Sequence, residues 1–395
     1  MNRISLIYGY SARNAGDFAI TLGAIDVLLE LGVKINLFSR YNEDSNDYKT
    51  SLSTLKAIYA DKLQIYGAPF SLNRADGIIK TIYTYYDGVL TLLNIKKKDS
   101  FRRLLLDADY IIFNGGNLFR CKSFIDYTRL RALMYPLILS KKANIPFVIF
   151  PQSASHLNCL GKKTLLPIIK GAERVILREQ LSFNYLSGLI NSDKFLQSID
   201  LAFFINKSHL PAAPIDVRGK IVMTLRYYTV GDIKYLPSDR IEMINQNIDY
   251  FIKNKSKDKE VVLIVQTDKD LEHSQLIAKK YNLQLYKTND VHTLLSIYKS
   301  ADLLVGMRLH SIILALSVGT PCYGLFYKEW GLKNPGLMSY FKMPYTLFDD
   351  KSICMGEIEQ INKLIVDRQI ISKNILSIVD SEKKKLIESL SFLKN

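Results

Sequence analysis

The sequence predicts an α/β protein of two doubly wound Rossmann-type domains facing each other across a cleft, and three observations predict it. Short apolar runs alternate with longer amphipathic segments along most of the chain, as expected of parallel strands covered on both faces by helices. The alternation breaks once, in the polar stretch 206–220 that carries Pro211, Pro214 and Gly219. A length of 395 residues also exceeds what one ordinary core organises. The expected division is an N-terminal domain over 1–206, a linker over 207–219, a second domain over 220–350 and C-terminal helices over 351–395.

In the first domain, Ile4 to Tyr8 reads as a strand, Phe18 to Leu31 as a helix and Val33 to Phe38 as a strand. A helix near Leu52 to Ala60 leads to a strand at Leu63 to Tyr66, and residues 71–98 are Tyr-rich and read as helical. Then come strand Tyr110 to Phe113, helix Phe124 to Lys142, strand Phe147 to Phe150, helix Leu165 to Gly171, strand Arg174 to Leu177 and helix Glu179 to Leu189. The second domain repeats the alternation. It reads as strand Ile221 to Thr224, helix Arg240 to Asn254, strand Val261 to Gln266, helix Leu271 to Tyr281, strand Gln284 to Tyr286 and helix Val291 to Lys299.

The stretch Ala301 to Gly324 is the most informative. A strand (Leu303 to Val305) meets a tight turn at Gly306, a helix runs from about Leu309 to Val318, Gly319 closes it and Pro321 opens the next strand. Arg308 and His310 sit at the strand-to-helix junction in apolar surroundings. A helix N-terminus offers unpaired N–H groups and a positive dipole end to an anion. Arginine adds a permanent planar cation, and histidine a group that exchanges a proton near neutral pH.

Composition narrows the function classes. The net charge of +15 favours anionic partners such as phosphorylated small molecules or an acidic lipid surface. No basic run is long enough for a nucleic-acid tail, so no nucleic-acid partner is expected. No apolar run reaches membrane-spanning length, and the N-terminus enters a strand directly, so the expectation is a cytoplasmic protein, peripheral at the inner face of the plasma membrane. Cys121, Cys159, Cys322 and Cys354 lack metal-ligand spacing and read as reduced thiols; no metal and no cofactor are expected.

Polar residues recur at the carboxyl ends of the expected strands, where ligands of such folds collect. Asn14 and Asp17 follow the first strand, with Asp17 expected to cap a helix opening at Phe18. Asn114 to Asn117 follow another, then Gln152, Ser153 and His156, then Arg178, then Asp200. In the second domain Arg226 lies just past Thr224.

Together these segments resemble the polysaccharide pyruvyl transferase family. The resemblance rests on Asn14-Ala-Gly-Asp17, Phe113-Asn-Gly-Gly-Asn117, Pro151-Gln-Ser153, Arg178-Glu-Gln-Leu-Ser182, Asp200-Leu-Ala-Phe203, Thr224-Leu-Arg226, Gly306-Met-Arg-Leu-His310 and Gly319-Thr-Pro321, over roughly residues 1–345. Two positions depart from the family's pattern: Asn117 replaces a third glycine, and Gln152-Ser153 leads into Ala154-Ser155-His156 rather than Gly-Pro. The resemblance implies a GT-B-like fold and transfer of the pyruvyl group of phosphoenolpyruvate onto a sugar, as a cyclic ketal, in a surface polysaccharide or its lipid-linked precursor. It implies phosphoenolpyruvate binding by Arg308, Leu309, His310 and Arg226.

The expected roles follow. His310 serves as acid and Arg308 neutralises phosphate, with Asp17 and then Asp200 as base. Asn14, Asn117, Gln152, Ser153, His156 and Arg178 are expected on the acceptor side. Two other classes stay open at this stage. One is a GT-B glycosyltransferase using a nucleotide sugar, with Glu329 as its ribose-binding carboxylate. The other is a non-catalytic membrane-associated scaffold of polysaccharide assembly, which the positive charge would suit.

Overall fold

The computed structural model describes residues 1–70, 86–93, 95, 98–226, 229–230, 234–235, 237–255, 259–348 and 352–394. Of the Tyr-rich segment, residues 71–85 lie outside this set, and 86–92 are helical. The chain divides into two compact units. Unit 1 comprises Met1–Arg13, Asp17–Ile205 and Glu382–Asn395; unit 2 comprises Asn14–Gly16 and Asn206–Ser381.

Unit 1 is built on β1 (Arg3–Gly9), β2 (Lys34–Ser39), β3 (Leu63–Tyr66), β4 (Tyr110–Phe113), β5 (Gly116–Cys121), β6 (Phe147–Leu157), β7 (Arg174–Leu177) and β8 (Phe195–Gln197). The order is β3-β2-β1-β4-β6-β7-β8, with β5 on β6, and every pairing is parallel. Buried runs such as Ile4–Gly9 and Phe147–Ala154 show why: strands apolar on both faces need helices on both faces. The helix Phe124–Lys142 starts at a capping box in which Ser123 and Asp126 each bond the other's backbone N–H.

Two features differ from the sequence expectation. The strand expected to stop at Phe150 continues to Leu157, and the Asn114–Asn117 segment, expected only to follow the strand Tyr110 to Phe113, turns at once into β5. One cause produces both. The first part of β6 pairs with β4 (Ile111↔Phe147 to Phe113↔Ile149) and its second part with β5 (Gly116↔Gln152 to Cys121↔Leu157). The polar composition of Gln152 to His156 hides this second half, because its pairing comes from a segment with the turn signal Gly115-Gly116.

Unit 2 contains β9 (Ile221–Thr224), a short antiparallel pair β10 (Thr229–Val230) with β11 (Lys234–Tyr235), β12 (Val261–Val265), β13 (Gln284–Lys287), β14 (Leu303–Gly306), β15 (Cys322–Phe326) and β16 (Tyr345–Leu347). Its main sheet, β13-β12-β9-β14-β15-β16, is parallel throughout and reverses direction of strand progression between β9 and β14. The helix Leu309–Ser317 ends as its sequence requires. Gly319 takes φ +81°, its N–H bonds the Leu316 carbonyl at 3.0 Å, and the Thr320 N–H bonds the Ala315 carbonyl at 2.9 Å.

At the C-terminus, helices Met355–Val366 and Arg368–Ser389 follow. Arg368 and Lys259 both bond the Asp302 carboxylate, at 2.9 and 2.8 Å, within unit 2. Within unit 1, Lys383 pairs with Glu30 at 2.5 Å and Asn2 donates to the Leu393 carbonyl at 3.1 Å. All four cysteines are free thiols. No described helix is long and apolar enough to cross a membrane.

Candidate functional site

The unit 2 site forms at the reversal between β9 and β14. Thr224 and Gly306 are register partners, so Arg226 and Arg308, each two residues further on, leave the sheet at the same edge. Three contacts fix that edge. The Met307 N–H bonds the Thr224 carbonyl at 3.0 Å, the Thr224 and Ser311 hydroxyls share a 2.9 Å bond, and the Ser311 hydroxyl donates to the Arg308 carbonyl at 2.8 Å. Arg308 is the extended N-cap residue of helix Leu309–Ser317 and provides no side-chain cap, which leaves the first-turn amides available to an anion.

Arg308 is held from the side. Its Nη2 donates to Asp270 Oδ1 at 2.7 Å and its Nε to Oδ2 of the same carboxylate. Asp270 is buried, whereas the Arg308 side chain keeps a quarter of its surface exposed. A carboxylate behind and an open Nη1 edge in front is the arrangement of a pre-aimed anion clamp. Arg226 is fixed differently, with its guanidinium 4.8 Å from the centroid of the Trp330 ring.

Arg226, Arg308, Leu309 and His310 line one cavity of about 180 Å³ together with Gln266, Thr267, Asn14 and Gly16. Residues 14–16 cluster with unit 2, and the reason is visible at Gly16. A β-carbon there would lie 2.3 Å from His310 Nδ1, so only glycine admits the imidazole. His310 itself is half-buried.

Unit 1 gathers a second polar group at its own carboxyl edge. Arg178, directly after β7, donates from Nε to the Ser153 hydroxyl at 2.6 Å and pairs through Nη1 with Asp200. Glu179 accepts from Ser153 at 2.9 Å and from Ser182 at 2.8 Å. Burial alone would lower the Arg178 pKa, but the Asp200 and Glu179 carboxylates hold it above its ordinary value. Asp200 also caps the short turn Leu201–Phe204, accepting from the Ala202 N–H at 3.0 Å, so both its oxygens are engaged.

The remaining expected residues separate. The helix after β1 begins at Ala15, so Asp17 lies in its first turn and is not its N-cap. It acts through its charge on Tyr10, whose hydroxyl is pushed well above its ordinary value by burial first and by Asp17 next. Gln152 is fully buried and ties two segments together, accepting from the Leu118 N–H at 3.2 Å and donating to the Asn114 carbonyl. Asn117 is exposed in β5, and His156 is exposed near the end of β6. Asp270, Trp330 and Glu179 were not singled out from sequence as site residues. Asp270 carried a weak signal as an acid just ahead of a helix start, and Glu179 lay inside the Arg178 motif.

Each unit, taken alone, has the doubly wound parallel order, and solved structures share the fold at low identity. UDP-GlcNAc 2-epimerase from Neisseria meningitidis bound to UDP-GlcNAc is 13% identical with a TM-score of 0.57, the match covering 100% of both chains. Anabaena HepE in complex with UDP and glucose is 14% identical with a TM-score of 0.56, covering 99% of this chain and 100% of that one. No curated protein matches. The fold therefore defines a GT-B-like α/β protein with C-terminal helices. Within that class the family model for polysaccharide pyruvyl transferase matches residues 14–329, and the chain belongs to that family of transferases.

Proposed function

We propose that this enzyme transfers the pyruvyl group of phosphoenolpyruvate to two hydroxyls of one sugar, in a surface polysaccharide or its lipid-linked precursor, forming a cyclic ketal. The observation that carries the reading is the convergence of Arg308, Arg226 and His310 on one cavity at the start of an uncapped helix. Phosphoenolpyruvate brings a phosphate and a carboxylate, and two guanidiniums with helix amides supply a partner for each.

The chemistry balances with the residues present. His310 gives a proton to the donor's methylene carbon, one sugar oxygen bonds to C2, and the second oxygen adds to C2 as the C2–O bond to phosphate breaks. Of the two hydroxyl protons released, one restores His310, and the other is taken by the base and passed to the departing inorganic phosphate. Arg308 neutralises the departing phosphate. Asp17 is the base we assign, because Asp200 is already held by Arg178 and the Ala202 amide. The acceptor falls to unit 1, and the charge of +15 supports work beside an anionic leaflet.

Phosphate release from phosphoenolpyruvate, measured with lipid-linked saccharide acceptors, tests the reading. Release should require acceptor, and His310→Ala should lose at least about 100-fold in kcat while phosphoenolpyruvate still binds. Turnover of His310→Ala close to wild type would remove the imidazole from the reaction.

A further inference from the structure

Unit 1 carries a group of three arginines, of which Arg120 and Arg129 share one nearby carboxylate, Asp126. Arg40 follows β2 directly, is only 7% exposed, and its buried Nε has no hydrogen-bond partner. Its guanidinium lies 5.8 Å from the centroid of the Tyr10 ring. Tyr10, just past β1, is anchored by a 3.0 Å bond from its hydroxyl to the Gly115 carbonyl. Arg40 is thus held at the carboxyl edge of β1, β2 and β4, the edge where such sheets take their ligands.

The following residues extend the group. Asn117 and Arg120 of β5 line a small cleft with Arg129 of helix Phe124–Lys142. Asp126 lines it too, but its Oδ2 accepts from the backbone N–H groups of Lys122 and Ser123 at 3.0 and 3.3 Å. Among the described residues, Arg40, Arg120 and Arg129 form no ion pair. Burial holds Arg129 below its ordinary value, and repulsion from Arg40 and Arg120 adds to that against the smaller attraction of Asp126, so the three charges share one neighbourhood.

A plain structural role fits poorly. The ring contact offsets only part of the cost of burying Arg40, and the single carboxylate of Asp126 does not balance three like charges. A ligand does. Sugar hydroxyls are neutral and need no such group, so the cations answer to something else on the acceptor. Three guanidinium forks match the several oxygens and multiple charge of a diphosphate better than one carboxylate.

We propose that Arg40, Arg120 and Arg129 form an anion subsite of unit 1 that takes a diphosphate ester, the linkage between the acceptor sugar and its carrier. The placement on the acceptor rests on the reading of unit 1 given above; the subsite itself rests on the arginines.

The test is calorimetric titration of inorganic pyrophosphate into the full-length protein saturated with phosphoenolpyruvate, so that the unit 2 cavity is occupied. Wild type should bind, with affinity falling steeply as salt rises. Arg40→Met and the more exposed Arg129→Gln should each weaken binding by about tenfold or more and leave phosphoenolpyruvate binding unchanged. Without ligand, Arg40→Met should melt no lower than wild type, since it removes an unpaired buried charge.

Pyrophosphate affinity indifferent to both substitutions overturns the subsite. So does Arg40→Met melting lower while Arg129→Gln binds normally, because Arg40 would then be structural. Arginine-dependent pyrophosphate binding by a protein that fails to bind phosphoenolpyruvate keeps the subsite and removes the donor reading. Displacement of pyrophosphate by geranyl diphosphate but not UDP puts the ester on a lipid carrier, and the reverse puts it on a nucleotide.

Discussion

Asp270 grips Arg308 at two points, through Nη2 at 2.7 Å and through Nε, and so fixes the plane of the guanidinium that borders the unit 2 cavity. Asp270→Asn should therefore raise the KM for phosphoenolpyruvate about tenfold or more while kcat changes less, since the clamp loses its aim before the chemistry loses its acid. Steady-state kinetics with varied donor decide this. An unchanged donor KM would make the pair a stability element only.

Arg308→Lys tests the same geometry from the other side. A lysine keeps one charge but cannot hold both Asp270 oxygens and still present a planar edge. Donor KM should rise by at least about tenfold, and 150 mM or so of added salt should deepen the loss, because a point charge is more readily screened. Wild-type kinetics in this variant would contradict the clamp.

Gly16→Ala places a methyl carbon 2.3 Å from His310 Nδ1, well inside contact distance. The imidazole must move. Gly16 lies in the first turn of helix Ala15–Glu30, where alanine suits the backbone, but the new carbon also lies 2.9 Å from the His310 Cβ, so the melting temperature should fall modestly. The expected signature is a fall in kcat of about 100-fold in a stably folded protein. A large loss of melting temperature would point to damage beyond His310.

Arg178→Met leaves the buried Asp200 and the partly buried Glu179 without their cation. Breaking such a pair costs about 3–5 kcal/mol, to be read from urea midpoints. Adding Asp200→Leu should recover part of that loss, because the abandoned charge goes with it. A single variant as stable as wild type would mean that water reaches this network freely.

His273 supplies a pH dependence whose sign can be worked out. Burial lowers its imidazole to about 4, against about 6.5 in an unfolded chain. Between those values the unfolded chain binds a proton that the folded chain refuses, so stability falls as pH drops from about 6.5 toward about 4. Urea midpoints across that window should decline less steeply in His273→Met, by up to about one proton. Equal slopes would show that His273 titrates alike in both states.

The sequence disclosed the fold through period and length. Strands such as Val261–Val265 and Leu303–Gly306 are buried on both faces and read as unbroken apolar runs, and helix ends carried their own marks at Gly319 and Ser123. The placing of Arg308 and His310 at a strand-to-helix junction was legible because a strand, a tight turn and a helix follow one another locally. Asp270 was not, since its importance arises from Arg308, far along the chain and joined to it only by the parallel pairing of β9 with β12 and β14. Gln152 misled for the opposite reason. A polar residue at a strand end suggests ligand, yet its amide serves the backbone of Leu118 and Asn114.

β6 supports different neighbours along its length. Its first residues are clamped between β4 and β7, whereas β5 pairs with no strand other than β6 among the described residues, through a ladder interrupted by irregularities. The β5 amides should thus exchange with solvent before those of β1 or β4, which are paired on both sides. The strand that carries Asn117 and Arg120 can then yield to an incoming molecule while the rest of the sheet stays closed.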